Sequence, residues 1–220
     1  MPTVRALRID FHIHSNHSMD GDMPPADIIK YAKKSGLDAI AVTDHNSIRG
    51  GIEAQKIAGD LLVFVGSEIK TADGEIIGLN LKKDVPANLP LAETCRLVKM
   101  QRGFIIVPHP FDKFRSGIGK EMLQIMEFID AVEIFNARTL AGRFNNQASE
   151  FAKKNNLPCV AGSDAHFKSE IGSVSMLVEC RMGRREILDA IKKGKVKITG
   201  KKTGIKPHWD TFVRKMGKKF

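Results

Sequence analysis

Cysteine is scarce in this chain. Cys95, Cys159 and Cys180 are the three in 220 residues, too few and too scattered for a disulfide framework or a cysteine zinc site. They read as reduced thiols of a cytoplasmic protein. No run of about 18 apolar residues occurs, which excludes a transmembrane helix and with it a membrane partner. The first residues, Met1-Pro2-Thr3-Val4-Arg5, run straight into a strand-like pattern without the apolar stretch of a secretory signal, so no leader is expected. Internal repeats and low-complexity linkers are also missing. At 220 residues, with 42% hydrophobic and 27% charged, the chain reads as one soluble globular domain with a sizeable core.

The net charge of +10 is local. Ten Lys, Arg214 and one acid, Asp210, fall between Lys192 and Phe220, so that stretch carries the whole excess and the rest is balanced. Residues 1–200 therefore read as the folded domain and residues 201–220 as a basic, loosely attached tail. Such a tail attracts polyanions, nucleic acid among them. The other reading is a solvated, solubilising end, since only Trp209, Phe212 and Phe220 are present there to stack bases.

Strand-like and helix-like patterns alternate along the domain. Residues 8–14 alternate in strand fashion. Pro24-Pro25 opens a helix with Ile28, Ile29 and Ala32 on one face and a stop at Gly36. Short apolar runs at 37–43, 61–65, 104–107, 131–135 and 158–161 read as buried parallel strands, and 174–178 and 196–199 as further strands. Helical patterns cover 48–58, 91–102, 121–128, 140–155 and 184–193, and Asp73-Gly74 suits a hairpin turn. This rhythm predicts parallel strands with crossover helices. Seven or eight such units favour a closed α/β barrel over an open sheet.

Metal-ligand residue types collect at strand ends. His12 and His14 lie two apart on one strand and so share a face. His45, Glu68, His109, Asp164 and His166 each follow a later strand. In α/β folds the carboxyl ends of the strands form the active face. One histidine there is usually structural, but five histidines with two acids at the same end are not. Imidazole and carboxylate together suit zinc, manganese or iron. Seven ligands exceed what one ion needs, and a carboxylate such as Glu68 is able to bridge two ions about 3.5–4 Å apart. Such a centre hydrolyses phosphate esters, but also amides or lactones.

Five motifs narrow the choice. Phe11-His12-Ile13-His14, Thr43-Asp44-His45-Asn46, Gly66-Ser67-Glu68, His109-Pro110-Phe111 and Gly162-Ser163-Asp164-Ala165-His166 resemble, in order and across residues 8–180, the motifs of the PHP (polymerase and histidinol phosphatase) superfamily. The resemblance implies a distorted seven-stranded (β/α) barrel and two or three divalent metal ions (Zn, Mn or Fe), with Glu68 as a bridging ligand. It also implies Asp20 as an eighth ligand, with His17 as the competing choice. Some members carry a further histidine ligand between the His109 and Asp164 motifs. This chain has no histidine from Phe111 to Ala165, and Asn136 stands at a strand end in that interval, while Glu133 lies inside the strand.

The function so implied is a metal-dependent phosphoesterase acting on small phosphate esters or nucleotides through a metal-bridged hydroxide. Asp164 and Glu68 are the catalytic ligands, Asp164 also accepting the water's proton. Arg115, Arg138 and Asn136 are the expected substrate contacts, with Lys113 and Arg143 nearby, because Arg forks match phosphate oxygens. Two alternatives stand beside it. One is a nuclease or DNA-associated phosphatase that binds nucleic acid through the basic tail. The other is a non-catalytic RNA-binding subunit resembling ribonuclease P proteins, which predicts eroded ligands. Nothing in the sequence selects histidinol phosphate as substrate or gives the oligomeric state.

Overall fold

Short apolar runs and amphipathic stretches alternate in the chain, and they fold into a sheet wrapped by helices. The structure is a computed structural model that describes residues 3–204, 207 and 209–211. In chain order the elements are β1 (Arg5–Ile13), α1 (Pro25–Lys34), β2 (Ala39–Val42), α2 (Arg49–Ile57), β3 (Leu62–Lys70), β4 (Glu75–Leu79), α3 (Leu91–Met100) and β5 (Phe104–Val107). A 3-10 turn (Gly119–Gln124) follows, then β6 (Ala131–Asn136), α4 (Gly142–Lys154), β7 (Cys159–Gly162), β8 (Val174–Cys180), α5 (Arg184–Lys192) and β9 (Val196–Gly200).

The helix expected over 121–128 is the 3-10 turn. Ile118, Met122, Ile125 and Ile129 are buried at helix-like spacing, but the segment is too short to nucleate an α-helix by itself. Helix α1 begins where its signals place it, with Pro at its first position, Asp27 in its first turn and lysines in its last. Gly36 ends it at φ +69°, a backbone state glycine adopts at little cost.

The nine strands form one sheet in the order β7-β6-β5-β4-β3-β2-β1-β8-β9. Strands β1, β2 and β3 are parallel, as are β5, β6 and β7. Antiparallel β4 joins the two sets through the Asp73-Gly74 turn, since a tight hairpin necessarily reverses direction. The sheet curls into a nearly closed barrel, with β8 and β9 added to the expected seven strands. Strand β8 pairs antiparallel with β1 from Arg5 to Ile9. Past that point the segment after β7 takes the same edge, where Ile13 bridges Ala165 and the His14 N–H donates to the Ala165 carbonyl at 2.8 Å.

One hydrophobic cluster draws on β1 through β8 and on α5 but on none of the other helices, so it is the barrel interior with α5 closing one end. Two more lie between the sheet and the outer helices. The three cysteines are unpaired. Among the described residues no helix is long and apolar enough to cross a membrane. The start of the basic tail is tied down, the Lys201 N–H donating to the Ser173 carbonyl and that of Thr203 to Ala137. Phe212, Arg214 and Phe220 lie outside the described residues.

Candidate metal centre

Strand β1 carries the first two histidines, and its regularity breaks just before them. Its register against β2 shifts between Asp10 and Ile13. Leu7, Ile9 and Phe11 pack in the barrel interior, whereas Ile13 packs outside with Ile28, Ile40 and Val42. The bulge therefore swaps the two faces of the strand, and His12 and His14 turn inward. Asp10 holds it, its Oδ1 accepting the N–H groups of His12 at 3.2 Å and Ser163 at 3.0 Å. A second register shift between Glu133 and Phe135 on β6 brings Glu133 and Asn136 to the same cavity.

The loops after the strands complete the set. Asp44 is buried and accepts from the Ser15 amide (2.6 Å), the Ser15 hydroxyl (2.7 Å) and the Ser18 hydroxyl (2.9 Å), so it locks the loop carrying Asp20 to the loop carrying His45. His109 and Asp164 sit at φ 27° and φ 55°, strained values for non-glycine residues that cluster at functional sites. Gly162 must be glycine, because a Cβ there would lie 2.3 Å from the His12 Cβ and 2.5 Å from the Glu133 Oε1.

The eight residues expected as ligands come together in three overlapping groups: His14, Asp20, His45 and His166; His12, His14 and Asp164; and His12, Glu68 and His109. Glu68 turns Oε1 to His109 at 3.0 Å and Oε2 to His14 and His45 at 3.3 Å each. Asp20 Oδ2 is 3.4 Å from both His45 and His166. Asp164 Oδ1 faces His12, His14 and His166 at 3.4–3.6 Å and, although buried, accepts no hydrogen bond among the described residues. A buried carboxylate oxygen aimed at three imidazoles without a donor of its own fits a cation.

The electrostatics agree. Burial works against charge on His12, but Glu68 and Glu133 outweigh it and raise the imidazole to about 10. Burial likewise opposes charge on Glu68, yet His12, His109 and His14 hold its carboxyl well below the usual range. His166 is pushed well down by burial and by neighbouring His14. The carboxylates thus draw positive charge into the cavity, and the nitrogen and oxygen donors suit transition-metal ions.

Glu133 Oε1 lies 3.0 Å from His12 Nδ1, and its Oε2 accepts from the His109 N–H at 2.8 Å. Asn136 Nδ2 donates to Glu133 at 2.9 Å and to Asp164 at 3.0 Å, and its Oδ1 accepts from Arg115 at 2.9 Å. Arg115 also pairs with Asp164 and is 21% exposed at the mouth. Arg138 is buried; it faces Glu170 and donates to Pro207 and Thr211. His17 pairs with Glu53 at 3.0 Å and belongs to none of the ligand groups. Glu75 was not singled out in the sequence. It lines the cavity with Oε1 3.9 Å from His45 Nδ1, and burial together with the charge of Glu68 raises its carboxyl. Only the hairpin register, which sets Glu75 opposite Lys70, places it there.

A family described as PHP-associated matches residues 142–196. An uncharacterised protein of Methanocaldococcus jannaschii is 39% identical over 154 residues, covering 64% of this chain and 89% of its own. A two-domain protein from Bacteroides vulgatus, described as containing a PHP-like metal-dependent phosphoesterase, has the same fold at a TM-score of 0.78 with 20% identity, over 96% of this chain and 70% of its own. A lesion-specific endonuclease from Pyrococcus furiosus is similar at a TM-score of 0.65 with 18% identity, over 88% and 58%. With the motifs in order, the barrel and the converging ligand types, the chain belongs to the PHP superfamily.

Proposed function

We propose that the chain is a metal-dependent phosphoesterase that hydrolyses small phosphate esters or nucleotides, using two or three Zn, Mn or Fe ions at the eight ligands named above. The observation that carries this reading is the nesting of three histidine–carboxylate groups around one cavity whose mouth also holds Arg115. Bound there, the ions would lower the pKa of a water to about 7 and offset the charge of the phosphate.

The side chains do the rest. Arg115 offers a two-pronged donor to phosphate oxygens, and a phosphate entering the mouth takes over the bonds it now makes to Asp164. Asp164, freed on that side, accepts the proton of the attacking water, and as the P–O bond to the alcohol breaks that proton is returned to the departing oxygen. Glu133 accepts the Nδ1–H of His12 and so leaves Nε2 facing the centre, where a bound ion would take the place of its proton. Asn136 orients Asp164 and Arg115, and touches the ester only through them. The three unpaired thiols suit a reducing compartment, the cytoplasm. The test is a panel of phosphomonoesters, phosphodiesters and nucleotides, with each metal restored in turn. Cleavage of one class supports the reading, and no cleavage of any by metal-loaded protein rules it out.

A nuclease is the second reading, favoured by Thr211. This residue of the basic tail lines the cavity, so the Lys-rich end of the chain begins beside the site. Replacing Lys215, Lys218 and Lys219 with Gln then weakens salt-dependent oligonucleotide binding and cleavage while small esters turn over as before. A non-catalytic RNA-binding subunit instead predicts near-zero transition metal in protein purified without chelators.

A further inference from the structure

Arg138 lines the cavity, and two of its guanidinium nitrogens have partners outside the ligand set. One guanidinium nitrogen, Nη2, donates to the Pro207 carbonyl at 2.8 Å and to the Thr211 hydroxyl at 2.7 Å. Its Nε faces Glu170 Oε1 at 3.4 Å. Glu170 uses its other oxygen to accept the backbone N–H of His166 at 2.9 Å and of Phe167 at 3.1 Å. One line of polar contacts therefore runs from the C-terminal segment, through Arg138 and Glu170, to the loop that carries Asp164 and His166. Arg138 is 4% exposed and Glu170 1%. A buried pair of opposite charges is a costly way to tie down a solubilising end, because both groups give up water. Thr211 adds its own bond to Pro207 at 2.9 Å and lines the cavity alongside His45, His109 and Arg115.

We propose that Thr211, held together with Pro207 by Arg138, is a wall of the catalytic cavity and limits the size of the ester group the cavity admits. Arg138 is then a positioning residue, acting through Thr211 and through Glu170. The cavity measures about 220 Å³, below the roughly 300–1,000 Å³ of sites that enclose larger ligands. With the wall in place it accommodates a phosphate and a small alcohol. With the wall displaced, a bulky group enters.

This inference rests on the phosphoester reading, and binding measurements separate the two. Inorganic phosphate and phenylphosphonate, neither of which is hydrolysed, are titrated into the metal-loaded full chain. Thr211→Gly should tighten phenylphosphonate relative to phosphate by about tenfold, and Thr211→Trp should weaken it by a similar factor, the range expected when a pocket gains or loses space for a small group. Arg138→Gln should shift the ratio in the same direction as Thr211→Gly, and Arg138→Lys should shift it less. Thermal melts of each variant, read beside the titrations, identify any that fails to fold; the two Thr211 variants alone decide the question if Arg138→Gln does. A ratio that stays at its wild-type value in the folded variants overturns the wall. So does a change that moves both ligands equally, which is what a purely structural role for Arg138 produces. If the ratio moves as expected but no ester is cleaved, the wall stands and the hydrolase reading falls. If esters are cleaved and the ratio does not move, the reverse holds. Failure of wild type to bind either ligand overturns both.

Discussion

Strands β1–β3 and β5–β7 flank β4 as two parallel sets, yet they furnish the cavity differently. The first set and its loops deliver His12, His14, Asp20, His45 and Glu68, ion donors almost without exception. Their support is internal, through Asp44 and the Ser15 and Ser18 hydroxyls. The second set delivers His109, Asp164 and His166, and then Glu133, Asn136 and Arg115, which hydrogen-bond to one another and to the donors. On the proposed reading one side grips ions, while the other also arranges a path outward to solvent. On the same reading a phosphate approaches from the second side, where Arg115 pairs with Asp164 at the mouth.

The comparison breaks most visibly at Glu68, whose two oxygens face donors from both sets. Glu68→Ala should cost at least one bound ion per chain and drop turnover to background. Metal analysis that finds full occupancy in this variant denies Glu68 its place between the halves. Arg115→Ala should lower kcat/KM by about 10²-fold, the scale of losing one preorganised donor to the transition state, with metal content unchanged. Lys at this position should recover little, since it lacks the fork. A loss of metal in Arg115→Ala would move that residue to the ion-gripping side. Glu133→Gln should weaken metal binding by about 10–100-fold, measured by competition with a chelator, while the fold melts as before; unchanged affinity would leave the His12–Glu133 contact without a role in the centre. Asn136→His should have the smallest effect. It adds a donor to the poorer side but gives up bonds to Glu133 and Asp164, so the last ion should tighten by no more than about tenfold. A weaker last ion would mean that the hydrogen bonds of Asn136 matter more than its position.

Much of this was legible in the sequence because it is periodic or local. The apolar runs at 39–42, 104–107 and 131–136 are strands, since a buried parallel strand needs little more than an unbroken run of apolar residues. Asp73-Gly74 marks its turn by backbone chemistry alone. The convergence of these histidines and acids was legible because imidazole and carboxylate recur at successive strand ends. The bulges on β1 and β6 were not, since a register shift is a relation between two strands and leaves no mark in either one. Plain alternation sets Phe11 and His12 on opposite faces, yet both face inward. The bonds of Arg138 to Pro207 and Thr211 were hidden for the same reason, as the partners are remote in the chain. Glu75 carried no motif at all and reached the cavity through hairpin register alone.

The change of neighbour along β1 has a consequence for how the barrel holds shut. Past the β1–β8 ladder, near Ile13, its edge meets the segment after β7 through one bridge and the His14 N–H to the Ala165 carbonyl, so few backbone bonds hold this end of the seam. Ions shared by His12, His14, Asp164 and His166 would clasp that end of the seam, linking residues remote in the chain where the ladder does not reach. Binding and folding are then coupled there. Stripping the metal should speed hydrogen exchange at the His14 amide and leave the β2–β3 ladder protected, and equal exchange at His14 with and without metal would deny the clasp.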